Sequence, residues 1–303
     1  MRKKMHLQKE DWIPTYDCEP TLNDLEILEF CRNGFLKFEN LIPEDINRKT
    51  LDFLQKVPEE NHGQPHEILD EPWFMNNVIK HPKVAGAIRS LLGKDFALPP
   101  TIANHRSVCP QPGQDWHLDG GAKHDGQLNT LLVFYYPEPC PREMGPTEIV
   151  PGSHFLYTDQ SRFIGHHGRI RGSYHTTASA GTIFLAHYAI WHRRSESWGS
   201  GVRNNLKFWY WRTSPPKRDW IKTPGFNLST AEFEFSNDFT DTDTPTFRDQ
   251  FDDCADSAKL YTWLCGKSDE VNMLGATAWP INFKPDRWNF PKQYGAPEHI
   301  LDE

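Results

Sequence analysis

From about Leu98 to Thr213 the chain alternates short runs of β-type residues with Pro and Gly clusters. The runs are Thr101–Val108, Leu128–Tyr136, Thr147–Val150, Thr182–His187 and Asn204–Thr213. Each suits one strand, and the turn residues between them prevent their fusion into longer elements. Such a chain buries its apolar faces as a sandwich or barrel of short strands. The stretch before it reads differently. Thr21 to Asp24 fits a loose capping box that opens a helix, with Leu22, Leu25, Ile27 and Leu28 on one face and Gly34 as its stop. Phe35–Phe38 reads as a strand. Pro43–Val57 reads as a second helix, with Pro43 at its first position and Ile46, Leu51, Leu54 and Val57 inward. A polar loop fills residues 58–70. Residues 71–92 read as helical, with a break at Pro82 and a stop at Gly93.

The expected fold is therefore mainly β with flanking helices, a jelly roll buttressed on one face. One domain is expected over 1–303: a helical part at about 20–95, a β core at about 98–213 and a C-terminal extension at 214–303. Residues 1–19 read as an irregular arm. Within the extension, Asp238–Asp252 reads as an acidic surface loop. Asp253–Cys265 reads as a helix with Ala255, Leu260 and Leu264 available for packing.

The formal charge of -8, with no Lys/Arg-dense stretch beyond Arg2-Lys3-Lys4, argues against nucleic acid or an anionic membrane as the partner. Six cysteines without a C-x-x-C pair read as reduced thiols of a cytoplasmic protein. No apolar run approaches the ~18 residues that span a bilayer, and no secretory h-region opens the chain. A small-molecule partner is the expectation that remains, and nothing in the pattern fixes an oligomeric state.

The chemistry centres on Trp116-His117-Leu118-Asp119-Gly120-Gly121. On extended backbone, alternate side chains share a face, so His117 and Asp119 aim at one point while Leu118 turns away. One imidazole and one carboxylate are two-thirds of a 2-His-1-carboxylate site for non-haem Fe(II). Of the chain's fourteen histidines, the thirteen besides His117 compete for the third place. His154, His166, His167 and His175 sit in turn or loop contexts. His187 and His192 lie at the end of the apolar run that follows Gly181. Alternation leaves both open, with a slight preference for His192 at the strand end, where a substrate can enter. Arg203 offers a planar fork suited to a carboxylate.

Taken together, these residues resemble the phytanoyl-CoA dioxygenase family of Fe(II)/2-oxoglutarate oxygenases. His117-Leu118-Asp119 matches the family's H-x-D. Gly145–His154 looks like its N-G-P-L-x-V-x-P-G-S-H segment, with Met144 where Asn is common. Gly181–His192 resembles the strand that carries the distal His, with Thr182 in place of the usual Asp. Arg203 stands eleven residues after His192, a spacing the family often shows, and Phe30–Leu41 resembles an early family segment. The likeness spans roughly residues 22–213. Arg193 and Arg194 depart from the small or hydroxyl residues usual after the distal His.

The resemblance promotes His192 over His187. It implies a double-stranded β-helix, cupin-like fold with Fe(II) held by His117, Asp119 and His192. It also implies 2-oxoglutarate and O2 as co-substrates, with ascorbate as reductant in vitro. Arg203 would pair the far carboxylate of 2-oxoglutarate, with Phe134 or Tyr135 lining its pocket and Asn129 and Thr130 supplying hydrogen bonds. The activity implied is hydroxylation of an unactivated C–H bond of a small metabolite or natural-product intermediate, with release of succinate and CO2. Related halogenases replace the carboxylate with a small residue, so Asp119 favours hydroxylation. Lys123, His124, Arg193 and Arg194 could form an anion-binding rim for the substrate. A Zn-dependent hydrolase and a non-catalytic 2-oxoglutarate or metal sensor are the rival readings.

Overall fold

In a computed structural model, which describes residues 13–119, 126–155, 170, 172–228, 231 and 250–266, the helical part comes first. After a two-residue strand β1 (Thr15–Tyr16), helix α1 (Asp24–Asn33) starts at Asn23. The Asn23 side chain accepts from the Leu25 and Glu26 amides, while Glu26 reaches back to the Asn23 amide at 2.8 Å. The expected cap two residues earlier is corrected, because Thr21 is engaged elsewhere: its amide donates to Ser90 Oγ. Ile27, Leu28 and Phe30 are buried, whereas Leu25 is exposed. Gly34 ends the helix at φ 78°, and a Cβ there would lie 2.4 Å from the His154 ring. Only glycine meets both demands.

Strand β2 (Phe35–Phe38) and helix α2 (Glu44–Lys56, with Pro43 as its cap) follow. The segment read as a loop contains two short 3-10 turns, Glu59–Asn61 and His66–Asp70. The third helical stretch is one turn, α3 (Pro72–Phe74), running into a π-helical turn (Met75–Ile79), and then α4 (Pro82–Leu92). Pro82 takes the first position of α4, where its missing N–H costs nothing.

The strands that follow are β3 (Phe96–Ala97), β4 (Ala103–Asn104), β5 (Ser107–Gln111), β6 (Thr130–Tyr136), β7 (Thr147–Ile149), β8 (Tyr174–His175), β9 (Thr182–His187), β10 (His192–Arg194), β11 (Ser197–Arg203) and β12 (Leu206–Trp211). A seven-stranded sheet runs β1-β3-β12-β6-β9-β2, with β4 also on β12. A three-stranded sheet runs β10-β7-β8, and β11 pairs β5. All these ladders are antiparallel, and the sheets do not close on themselves.

The alternation of β6 and β12 sets the two faces of the large sheet. Leu131, Val133 and Tyr135 join Leu206, Phe208 and Tyr210 in the core shared with α1, α2 and α4. Leu132, Phe134 and Tyr136 point the other way, toward Ile149 of the small sheet. The site lies on this second face.

Against the expected run Asn204–Thr213, β12 spans Leu206–Trp211, and Arg203 closes β11, paired with Ser107 of β5. Asn204 and Asn205 break the run, because Glu138 Oε1 takes the Asn204 amide and Asn205 Nδ2 turns to Thr147 Oγ1. Strand β11 is absent from the runs expected as strands: its sequence is rich in Ser and Gly, and pairing with β5 holds it extended across a register shift between Ser197 and Gly201. Helix α5 (Gln250–Leu264) forms in the extension, with Leu260 and Leu264 buried; the Ala255 side chain lies outside the described residues. Also outside are residues 1–12 of the arm, 238–249 of the acidic stretch and 267–303. No helix among the described residues is long and apolar enough to cross a membrane.

Candidate metal centre

The Pro-Gly-Ser-His segment turns out to be the mount for His192. Ser153 Oγ donates to Val150 O at 2.6 Å and accepts the Trp191 amide at 2.9 Å. Val150 N donates to Trp191 O. These bonds fix the backbone one residue before His192, which then pairs with Ile149 on β7. His154 is buried and its Nε2 meets Cys31 O, which ties the turn to α1. His117 and His192 exchange both backbone hydrogen bonds, at 3.0 and 3.1 Å. This isolated antiparallel bridge puts their rings on one face, centroids 4.5 Å apart. Asp119, two residues on, faces the same way.

Each ring has a fixed tautomer. His117 Nδ1 lies 2.8 Å from Asp115 O, and His192 Nδ1 lies 3.0 Å from Ile190 O. A carbonyl only accepts, so Nδ1 carries the proton and Nε2 keeps its lone pair. One ring nitrogen of each histidine and an Asp119 oxygen all fall within 4.8 Å of one another. His192 Nε2 and Asp119 Oδ1 are 3.6 Å apart. Two neutral imidazoles and a carboxylate on one face are the donor set of a non-haem Fe(II) centre, and the spacing suits bonds of about 2 Å each. His187 is unlike them. Its Nδ1 accepts the Ala189 amide and its Nε2 donates to Gln127 O, so no lone pair is left.

Lys207 was not singled out by the sequence, yet it lies at the centre of this cluster. It pairs in register with Phe134, so both side chains enter from the same face of the large sheet. Its ammonium donates to Asp119 Oδ2 and to His192 Nε2, the latter at 3.2 Å, and lies 5.7 Å from the Phe134 ring. The available signal was a lysine at an inward position of the otherwise apolar run Leu206–Trp211. Burial pushes the Asp119 carboxyl up, but His192 and Lys207 outweigh it and hold it at about 2. Burial, with Lys207 beside it, pushes His192 down to about 3, so the imidazole is neutral at neutral pH.

Beside the cluster opens a cavity of about 230 Å³. His117, His192, Phe134, Thr147 and Arg203 line it, together with His105, Arg106, Gln114 and Arg194. Arg203 is 2% exposed, and its Nε and Nη1 have no hydrogen-bond partner. The guanidinium also contacts the Cys140 thiol, but two buried nitrogens without an acceptor are costly, which suits this group to an anion. Phe134 meets the His192 ring edge-on at 5.7 Å. Tyr135 is on the opposite face, its hydroxyl donating to Asn47 Oδ1 at 2.7 Å. Strand alternation thus turns Phe134, and not Tyr135, toward the cavity.

Thr130 opens β6 and Asn129 precedes it, roughly 13 and 17 Å of extended chain from Phe134. Asn129 is exposed and donates to Gln127 Oε1. Neither residue lines the cavity, so their expected bonds to a co-substrate find no support in this placement. Arg193 contributes to the wall but is already paired: its Nε donates to the buried Glu148 at 2.6 Å, and its guanidinium lies over Trp116. Lys123 and His124 lie outside the described residues.

A family model for phytanoyl-CoA dioxygenase matches residues 30–203. The chain belongs to the phytanoyl-CoA dioxygenase family. The matched residues include His117, Asp119, His192 and Arg203. No curated protein sequence matches the chain. Among solved structures, the epimerase SnoN in complex with Fe3+, alpha ketoglutarate and nogalamycin RO is similar over 62% of this chain and 83% of its own, at 15% identity and TM-score 0.50. Iron-bound HygX from Streptomyces hygroscopicus is similar over 64% and 89%, at 16% identity and TM-score 0.50. AviO1 from Streptomyces viridochromogenes Tue57 is similar over 65% and 98%, at 15% identity and TM-score 0.50. At these identities the likeness speaks for the fold, a jelly roll of antiparallel sheets.

Proposed function

We propose that this member of the phytanoyl-CoA dioxygenase family is an Fe(II)- and 2-oxoglutarate-dependent enzyme that hydroxylates an unactivated C–H bond of a small molecule. The observation that carries this reading is the convergence of His117, Asp119 and His192 on one face, beside a cavity lined by Arg203, whose buried Nε and Nη1 have no hydrogen-bond partner. HygX has also been solved with nickel and 2-oxoglutarate bound, at 15% identity to this chain. Iron with 2-oxoglutarate and O2 supplies oxidative decarboxylation to succinate and CO2 and an oxidant for an unactivated C–H bond. The chain's own residues do the positioning. His117 and His192 present Nε2, and Asp119 presents Oδ1 while Lys207 holds its other oxygen. Arg203 takes the far carboxylate of 2-oxoglutarate through its two free N–H groups. Phe134 walls the co-substrate from the core. Asp119 occupies the place that a halide needs in related halogenases. The five cysteines whose side chains are described are free, which supports a cytoplasmic setting.

The test begins with metal-free protein supplied anaerobically with Fe(II) and 2-oxoglutarate. A weak metal-to-ligand charge-transfer band in the visible is expected. Absence of the band together with tight Zn(II) binding sinks the oxygenase reading in favour of a hydrolase. A band without succinate across a broad substrate screen favours a sensor. His192→Ala is expected to lose metal, and His187→Ala to keep it. Arg203→Ala is expected to weaken 2-oxoglutarate binding by roughly 2–5 kcal/mol, the cost of losing one side of a buried charged pair.

A further inference from the structure

After the site has taken its metal and co-substrate, cations remain in the cavity. Asp119 is paired to Lys207, and Glu148 to Arg193. A divalent metal and dianionic 2-oxoglutarate balance each other. Among the described residues, Arg106, Arg194 and Arg203 are left lining one cavity in a chain of formal charge -8. Arg203 lies deep; the other two line the same space from β10 and from the residue before β5. Arg194 is half-buried, with Nη2 fixed on Pro112 O at 2.9 Å and Nε shut from solvent without an acceptor. Its guanidinium is close enough to Arg203 for the two charges to repel, which adds to the burial that pushes Arg194 down. Gln114, whose side-chain oxygen accepts the Arg194 amide, stiffens this corner. A cationic concavity with low-dielectric walls concentrates small anions however acidic the rest of the surface.

We infer that the primary substrate is a small oxyanion, a carboxylate or a phosphate monoester, anchored by Arg194 and Arg106. The inference rests on the reading that Arg203 serves the co-substrate. Arg193, which the sequence places equally well on the rim, is excluded because Glu148 already neutralises it. The anchor fixes one end of the substrate, so the C–H bond to be oxidised belongs to the part that reaches past Gln114 toward His117 and His192. Planar guanidinium forks bind either oxyanion bidentately, and relative affinity tells the two apart.

The experiment is calorimetric titration of the full chain, loaded with Ni(II) and 2-oxoglutarate, with methyl phosphate, propionate and uncharged propionamide. At least one anion is expected to bind saturably, and propionamide is not. Arg194→Met and Arg106→Met are each expected to weaken the anion at least tenfold while 2-oxoglutarate affinity changes less than threefold. Arg48→Met, on the exposed face of α2, is expected to change neither. Two results overturn the inference: propionamide binding as well as propionate, or Arg194→Met weakening 2-oxoglutarate and leaving the probes alone, which makes Arg194 a second clamp on the co-substrate. If 2-oxoglutarate fails to bind wild type, the oxygenase reading falls instead. The same titration on metal-free chain then decides the anion site, upheld by tenfold loss in Arg194→Met and overturned by its absence.

Discussion

Two buried carboxylates show what separates a structural charge from a working one. Asp24, at the start of α1, is fully buried and accepts from five donors. Arg218 grips both oxygens, at 2.9 and 2.8 Å. Trp220 Nε1, Tyr261 Oη and the Thr223 amide fill the remaining lone pairs at 2.7, 2.6 and 2.6 Å. The cluster ties α1 to the segment after β12 and to α5. Asp119 has one cation, Lys207, on Oδ2, and its Oδ1 lies 3.6 Å from His192 Nε2. The first carboxylate has no valence left to offer, and the second has been left open. A related contrast separates Arg193, held by Glu148, from Arg203, whose Nε and Nη1 have no hydrogen-bond partner.

The comparison breaks most visibly under mutation. Asp24→Ala strands a buried guanidinium and is expected to cost about 3–5 kcal/mol, the range for breaking a buried ion pair. Denaturant unfolding measures this, and metal affinity of the folded fraction should be unchanged; a loss below about 1 kcal/mol would make the cluster decorative. Metal rescue is the next largest effect. At a hundredfold excess over Kd, a divalent metal is expected to stabilise wild type and Asp24→Asn alike by about 2.7 kcal/mol, and Asp119→Ala not at all. Thermal shifts with and without chelator check this, and equal rescue of Asp119→Ala would mean that the ion binds elsewhere.

Ser153→Ala removes a buried hydroxyl that bonds two backbone groups of the His192 mount, so about 1–3 kcal/mol of stability should be lost. Metal affinity should fall as well, which a purely structural hydroxyl would not cause. The smallest effect is in acid. Burial raises the Asp24 carboxyl, but Arg218, Tyr261, Thr223 and Trp220 pull it below its ordinary 3.8. The unfolded chain therefore takes up the proton first as pH falls. The stability from this group is present above pH 3.8 and is lost as pH drops through the lower folded value. Acid titration of wild type should be steeper below pH 3.8 than that of Asp24→Asn.

Much of the fold was legible because local rules and tertiary packing agreed. Phe35–Phe38 and Thr182–His187 form strands with the expected bounds, and Gly34 stops α1. The failures have identifiable causes. Asn23 outcompetes Thr21 as cap because the Thr21 amide is held by Ser90, a residue of α4 far along the chain. Strand β11 is invisible because its pairing partner β5, and not its Ser- and Gly-rich composition, makes it extended. The Tyr135-or-Phe134 ambiguity needed the direction of β6, which depends on where the helices pack.

For the site, the sequence by itself determined the residue types: an H-x-D triplet, a later histidine and an arginine eleven residues beyond it. The Pro-Gly-Ser-His segment was recognisable, but its task was not. Tertiary structure decided which side chains keep an open valence. His187 and His192 are both histidines at the end of one apolar run, and only the carbonyls and amides around them tell them apart. Lys207 became part of the centre through cross-strand register with Phe134, and Arg193 left the anion rim through its contact with Glu148. Whether a charged group is available is set by its nearest partners. Those partners come from strands far apart in sequence, so local pattern shows the chemistry a residue can do, and packing decides whether it is free to do it.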